Sequence, residues 1–423
     1  MVEIKAFRGW LYNSDKINDF SKVITPPNDV ISEKEKIELS KEEFSFVKLI
    51  KPDGDYDHSL ELFSDWKAKN IFVKDEEETI YVYSESYKVD GIDYSRTGFI
   101  TLMKLEELGK GMLPHEKVIE QDLKDRIELI KTTKANFGIP FVLFDDRKKI
   151  TDVILKQAIG GEESYIDFTD LIGVRHTIWK VSDKDFITKL VDQMKQYQCI
   201  IADGHHRYTS AYRVSQMVDI NGAKYGLLCF VNSFNECMSL LPTNRVVFGL
   251  DNVDDFIPKL EKYFEVQEMD VGKLIVELES TEIMIDKTKN LKNHVLGVYS
   301  SINKKGYLLK LKDRDVLKAK LLDNTDIYQK LDVNILHKVI LEEILEITEE
   351  QQKRREHVDF VKGNKETLQR IKENNIQFAF FINAPLMREV FLTARAGEVM
   401  PQKSTYFYPK VYSGLVVYDF EDN

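Results

Sequence analysis

The chain has 423 residues, 43% hydrophobic and 31% charged, the profile of a globular protein with room for two or three domains of roughly 100–200 residues rather than of a disordered or fibrous chain. Lys+Arg 60 against Asp+Glu 71 give a formal charge of −11, which opposes a broad polyanion-binding face, so neither nucleic acid nor an anionic membrane is an expected partner. A single phosphate pocket survives that argument, because it needs only a few cations and backbone N–H groups. Cys199, Cys229 and Cys237 form an odd set without metal-site spacing, which predicts neither a disulfide framework nor a thiolate zinc site and suits a reducing cytoplasm. The segment Met1-Val2-Glu3-Ile4-Lys5 opens no secretory signal pattern, and no apolar run nears the ~20 residues of a membrane span.

In chain order, residues 1–96 read as a first α/β segment. Pro26-Pro27-Asn28-Asp29 is a rigid turn, residues 33–41 are helical, and Phe46-Val47-Lys48-Leu49-Ile50 and Thr79-Ile80-Tyr81-Val82-Tyr83 have strand character. From 97 to 247 the units lengthen. Strands are predicted at 98–103, 140–144 and 199–202, with a helix after Pro114-His115-Glu116 carrying Ile119, Leu123, Ile127 and Ile130 on one face. A second helix begins after Asp203-Gly204, with Tyr208, Ala211, Tyr212 and Val218 sharing a face. From 248 to 423 strands are expected at 294–299, 307–311, 378–382 and 415–418. A helix is expected over 332–347 with Asp332 as its N-cap, and a loop at 397–405.

The segment Ile201-Ala202-Asp203-Gly204-His205-His206-Arg207-Tyr208 is the most informative. A strand ending in Asp-Gly permits close backbone approach, and the helix that follows offers unpaired N–H groups to an anion. The bland alternative is a decorated turn capped by Asp203. His205 and His206 are neighbours about 100° apart on a helix, which disfavours joint chelation of a transition metal. A Mg²⁺ carried by a nucleotide needs only one carboxylate, for which Asp203 is the candidate. Glu116, at the mouth of a helix, is either a general base or an ordinary first-turn acid. Lys403, Ser404 and Thr405 in the 397–405 loop suit a phosphate or carboxylate but lack the P-loop layout, and GxGxxG, GxSxG and HExxH are absent from the chain.

Pro114-His115-Glu116 together with Asp203-Gly204-His205-His206-Arg207 resembles the signature of the SerK-type free-serine kinases, of ParB/sulfiredoxin-like fold. More widely the chain resembles the bacterial domain-of-unknown-function-1015 family, through Pro26-Pro27 with Asp29-Val30-Ile31, Asp125-Arg126, Leu241-Pro242-Thr243 with Arg245, Leu331-Asp332-Val333, and Met400-Pro401 with Lys403-Ser404-Thr405. The resemblance implies a mixed α/β (α+β) fold: a ParB/sulfiredoxin-like nucleotide-binding core over 97–247 with inserted and appended α/β segments. It implies Mg²⁺-dependent transfer of a phosphoryl group from ATP or ADP to free L-serine in the cytoplasm, possible homo-oligomers, and no nucleic acid or membrane partner. Glu116 carries over as the base, and Asp203 and His206 as catalytic residues near the phosphates. Gly204, His205 and Arg207, with Lys403, Ser404 and Thr405, become the expected nucleotide contacts. The 403 loop is expected to fold back over the nucleotide pocket beside Asp203, and either Arg207 or Lys403 to hold the substrate carboxylate. Asn28 and Asn244 depart from the family pattern, and the stretch from Glu116 to Asp203 is longer than in compact SerK proteins. A nucleotide switch without catalysis is the competing reading. A sulfiredoxin-like reaction lacks its cysteine at the turn, since Cys199 reads as core.

Overall fold

Strands apolar at every position need cover on both faces, whereas strands that alternate need it on one; both kinds occur here. The computed structural model describes residues 2–422 except 90, 119, 236–238, 252, 284–293 and 374, so Ile119 and Cys237 lie outside the described residues. The chain divides into two units. The first comprises Met1–Pro114, Val118–Ser239 and Pro409–Asn423, and the second His115–Lys117 with Leu240–Tyr408. Both mix helices with a sheet, so the α/β class is the observed one.

Unit 1 is built on a nine-stranded sheet of β1 (Ile4–Lys5), β2 (Ile80–Val89), β3 (Ile92–Lys104), β4 (Met112–Leu113), β5 (Phe141–Phe144), β6 (Ile166–Thr169), β7 (Arg175–Val181), β8 (Cys199–Asp203) and β9 (Tyr225–Asn232), in the order β4-β8-β5-β9-β3-β2-β7-β6, with β1 also on β3. Residues 96 and 97, between the first two expected segments, lie inside β3. At the margin, β6 alternates Ile166 and Phe168 inward with Asp167 and Thr169 outward. In the middle, β5 and most of β8 and β9 are buried throughout. The helices α1 (Tyr56–Ala68), α2 (Glu120–Thr133), α3 (Ile150–Ala158), α4 (Lys184–Met194) and α5 (His205–Met217) accompany this sheet. In α4 the buried residues Phe186, Leu190 and Met194 recur every four positions, and Asp183 caps the first turn. On the face of β2 and β3 a buried ion pair joins Glu85 to Arg96, directly opposite each other, and Arg96 also donates to Pro409 O over 2.8 Å.

Unit 2 holds an all-antiparallel six-stranded sheet of β10 (Thr243–Val247), β11 (Phe264–Met269), β12 (Val295–Ser300), β13 (Lys305–Leu311), β14 (Val358–Lys362) and β15 (Phe378–Phe381), ordered β11-β13-β12-β15-β10-β14. Two cores, one per face, explain its unbroken apolar runs: Val247, Leu296, Leu309, Phe378 and Phe380 enter one, and Val246, Val295, Leu308, Ala379 and Phe381 the other. The helix α6 (Val271–Ile283) covers the second core through Leu274 and Leu278. The first is covered by α7 (Asp332–Ile335), which continues through Leu336–Ile344 with π winding.

Two local expectations are corrected. Val47–Ile50 is a helical turn with Val47, Leu49 and Ile50 buried; a run this short carries no period to separate strand from helix. Asp332 is not the N-cap but the first helical residue, buried, with its carboxylate 2.8 Å from His294 Nδ1.

Candidate functional site

In unit 1 the segment 199–217 is a strand, a single left-handed residue and a helix. β8 pairs parallel with β4 and antiparallel with β5, and its register shifts between Ile201 and Asp203, which bends its end. Gly204 follows at φ +87° and starts α5 without a side-chain cap. A Cβ there would lie 2.9 Å from the Arg207 guanidinium carbon, so glycine is required both for the conformation and for the packing.

The guanidinium of Arg207 is fixed from two sides. Nη1 donates to Ile139 O over 2.8 Å and Nη2 to Asp203 Oδ2, while Asp29 Oδ1 stands 3.7 Å away. The other Asp203 oxygen, Oδ1, accepts from the ammonium of Lys410. Asp203 therefore lies between two cations, with little of any of the three side chains exposed. His205 is buried and His206 half-buried at the start of α5. Arg207, Asn28, Arg126, Phe137 and Gly138 line one cavity of this unit, which gathers residues from three separate motif segments. Arg126 is held there by Asp125 and by Ile50 O, and Tyr56 donates to Asp125 over 2.9 Å.

Unit 2 contains Glu116, Lys403, Ser404 and Thr405. Glu116 Oε1 accepts the backbone N–H of Lys403 over 3.0 Å, and Met400 N–H donates to His115 O over 2.8 Å. The turn that presents this N–H has Lys403 at φ +54°. The buried His115 ring contacts Thr405 through Nε2 at 2.8 Å and packs edge-on to Phe407. Ser404 Oγ donates to Pro401 O, so both loop hydroxyls are engaged within the unit. Arg245, fully buried over the Phe360 ring, donates to His337 Nε2, Thr243 O and Gln402 O. Burial pulls its guanidinium down from the ordinary range, against the opposing pull of the Glu116 charge. Asn244, one of the departures from the family pattern, is also buried, bonded to Asn364, Thr367 and Ile382 N–H.

The expected site residues thus fall into two groups, Asp203 to Arg207 in unit 1 and Glu116 with 403–405 in unit 2. Sequence reasoning assigned no part to Lys410, which reaches Asp203 from 207 positions away with no local pattern to announce it. Among the described residues no three His, Cys, Asp or Glu side chains cluster to hold a metal. Both oxygens of Asp203 are engaged by cationic side chains, Oδ2 by Arg207 and Oδ1 by Lys410. Among them, too, no helix is long and apolar enough to cross a membrane.

The family model described as "Protein of unknown function (DUF1015)" matches residues 4–334. No curated protein matches the chain. Among solved structures, a free serine kinase variant in complex with ADP is similar at 14% identity and TM-score 0.35, over 70% of this chain and 84% of that one. A conserved hypothetical protein from Pyrococcus furiosus is similar at 16% identity and TM-score 0.34, over 71% and 89%. SbnI with a C-terminal truncation, from Staphylococcus aureus, follows at 10% and 0.32, over 72% and 82%.

Proposed function

The chain belongs to the DUF1015 family, and on that premise we propose that it is a nucleotide-dependent kinase converting free L-serine to O-phospho-L-serine. The observation that carries this reading is the Asp203 carboxylate fixed between Arg207 and Lys410 where β8 turns through Gly204 into α5. Cations gathered at one point beside a helix start are what a phosphoryl group with spreading negative charge requires. In the proposed step the serine Oγ attacks the terminal phosphorus of ATP or ADP and Glu116 takes the hydroxyl proton. The bond from that phosphorus to the bridging oxygen breaks, and the shortened nucleotide leaves with the electron pair. The Lys403 N–H on Oε1 orients Glu116 and leaves Oε2 for the proton. His206 and Arg207 are assigned to the phosphates, His205 and Gly204 to shaping the turn. Mg²⁺, which Asp203 would hold with the nucleotide, supplies charge neutralisation at the phosphates.

The test is incubation of the full chain with Mg²⁺, L-serine and either ATP or ADP, with mass spectrometry for O-phosphoserine. Wild type is expected to form it, and E116Q to lose at least about 100-fold in rate while binding nucleotide normally. Tight nucleotide binding with no product from wild type would replace this reading by a non-catalytic nucleotide switch.

A further inference from the structure

Unit 2 contains a recess of about 630 Å³, its open mouth included, that the proposed reaction does not use. Its walls include Lys117, His337, Lys338, Phe360, Met400 and Gln402. His337 is only 8% exposed and stands in Leu336–Ile344, where the helix takes the π winding often found at functional sites.

The protonation state of His337 follows from its partner. Arg245 Nε donates to His337 Nε2 over 3.2 Å, and a guanidinium has no lone pair to accept with, so the imidazole is neutral and carries its proton on Nδ1. Burial, with the charges of Arg245 and Lys338, pulls this imidazole well below the ordinary histidine range, in agreement. The Nδ1–H has no protein partner among the described residues, and His337 stands on the wall of the recess. Arg245 behind it reaches only neutral acceptors. On the wall, Lys338 is paired with Glu342 and Glu349, and Lys353 with Glu349, whereas Lys117 has no ion-pair partner among the described residues. A neutral imidazole donor and an ammonium outside any ion pair on one recess wall, backed by a buried cation, suit a monoanion with a hydrogen-bond acceptor. The two glutamates of the wall disfavour a dianion.

We propose that this recess binds a small carboxylate, one oxygen accepting from His337 Nδ1–H and the charge balanced by Lys117. The proposal stands apart from the kinase reading, since it concerns binding alone.

The test uses the full chain labelled with ¹⁵N-histidine and long-range ¹⁵N–¹H spectra, with the His337 resonance assigned by its loss in H337F. Expected are the Nδ1–H tautomer for His337 and a saturable shift of that signal with L-lactate and with acetate, but not with propane-1,2-diol or inorganic phosphate. K117A, on an exposed side chain, is expected to raise the midpoint roughly ten-fold. An Nε2–H tautomer, no saturable shift with either carboxylate, an equal response to phosphate, or an unchanged midpoint in K117A would each overturn it. Should H337F not fold, the K117A titration still decides, because the signal that saturates in wild type must then weaken.

Discussion

Replacing Gly204 by alanine tests the turn into α5 quantitatively. An L-residue at φ +87° and ψ +34° costs about 1–2 kcal/mol. The added Cβ also lies 2.9 Å from both Cζ and Nε of Arg207 and 3.0 Å from Nη2. A free arginine would swing away. This one is pinned by Ile139 O and Asp203, and its Cδ sits so close to Gly138 that a Cβ there would be 2.8 Å from it. Displacing the guanidinium therefore forfeits a buried charged hydrogen bond, about 1.5–3 kcal/mol, for a total near 2.5–5 kcal/mol. Gly54 supplies the control, with φ +90° and open space around its missing Cβ, so G54A should lose only the conformational part, about 1–2 kcal/mol. All three tryptophans, Trp10, Trp66 and Trp179, belong to unit 1, as do both glycines, so urea unfolding followed by tryptophan fluorescence reads the relevant unit. In an R207A background the excess cost of G204A should vanish. Equal losses in G204A and G54A, or an excess that persists without Arg207, would refute the argument.

Removing the ammonium at Asp203 Oδ1 with K410M should weaken ADP binding about ten-fold by calorimetry; an unchanged Kd would remove the phosphates from this cluster. Neutral His337 makes unit 2 acid-sensitive. Its native pKa is depressed, so below about pH 6.5 the unfolded chain takes up a proton that the native imidazole refuses, and stability falls toward acid by up to about 1.4 kcal/mol per pH unit. Hydrogen exchange of unit 2 amides at pH 5.5 and 7.5 should show this loss in wild type and a smaller one in H337F; equal losses would contradict the assignment.

The strand, turn and helix of 199–217 were legible because each has a local cause: a buried run, an Asp-Gly pair, and apolar residues three and four apart. Even there the inward face runs through Val214, while Val218 is the residue that ends the helix. Val47–Ile50 reads as a strand because four residues, three of them buried, are too few to show a period. The π winding at 336–344 has no sequence signature in its residue types, and Asp332 looks like a cap until its buried partner His294 is seen. Lys410 and the Lys403 N–H on Glu116 were beyond reach for a different reason. Both are contacts across hundreds of positions, fixed by how sheets and loops close rather than by any neighbour along the chain.

Unit 1 encloses its core with chain from both sides of unit 2. The stretch after Tyr408 pairs Val417 with Trp10, Ser413 with Thr25 and Tyr418 with Asn136, and brings Asp419 to Lys67. During synthesis, then, a scaffold already some 240 residues long must wait, unsealed and with Asp203 lacking its Lys410, while the intervening 169 residues leave the ribosome. Maturation of the candidate phosphate cluster is thereby tied to completed translation, and chains interrupted anywhere within Leu240–Tyr408 would carry the motif without the group that neutralises it.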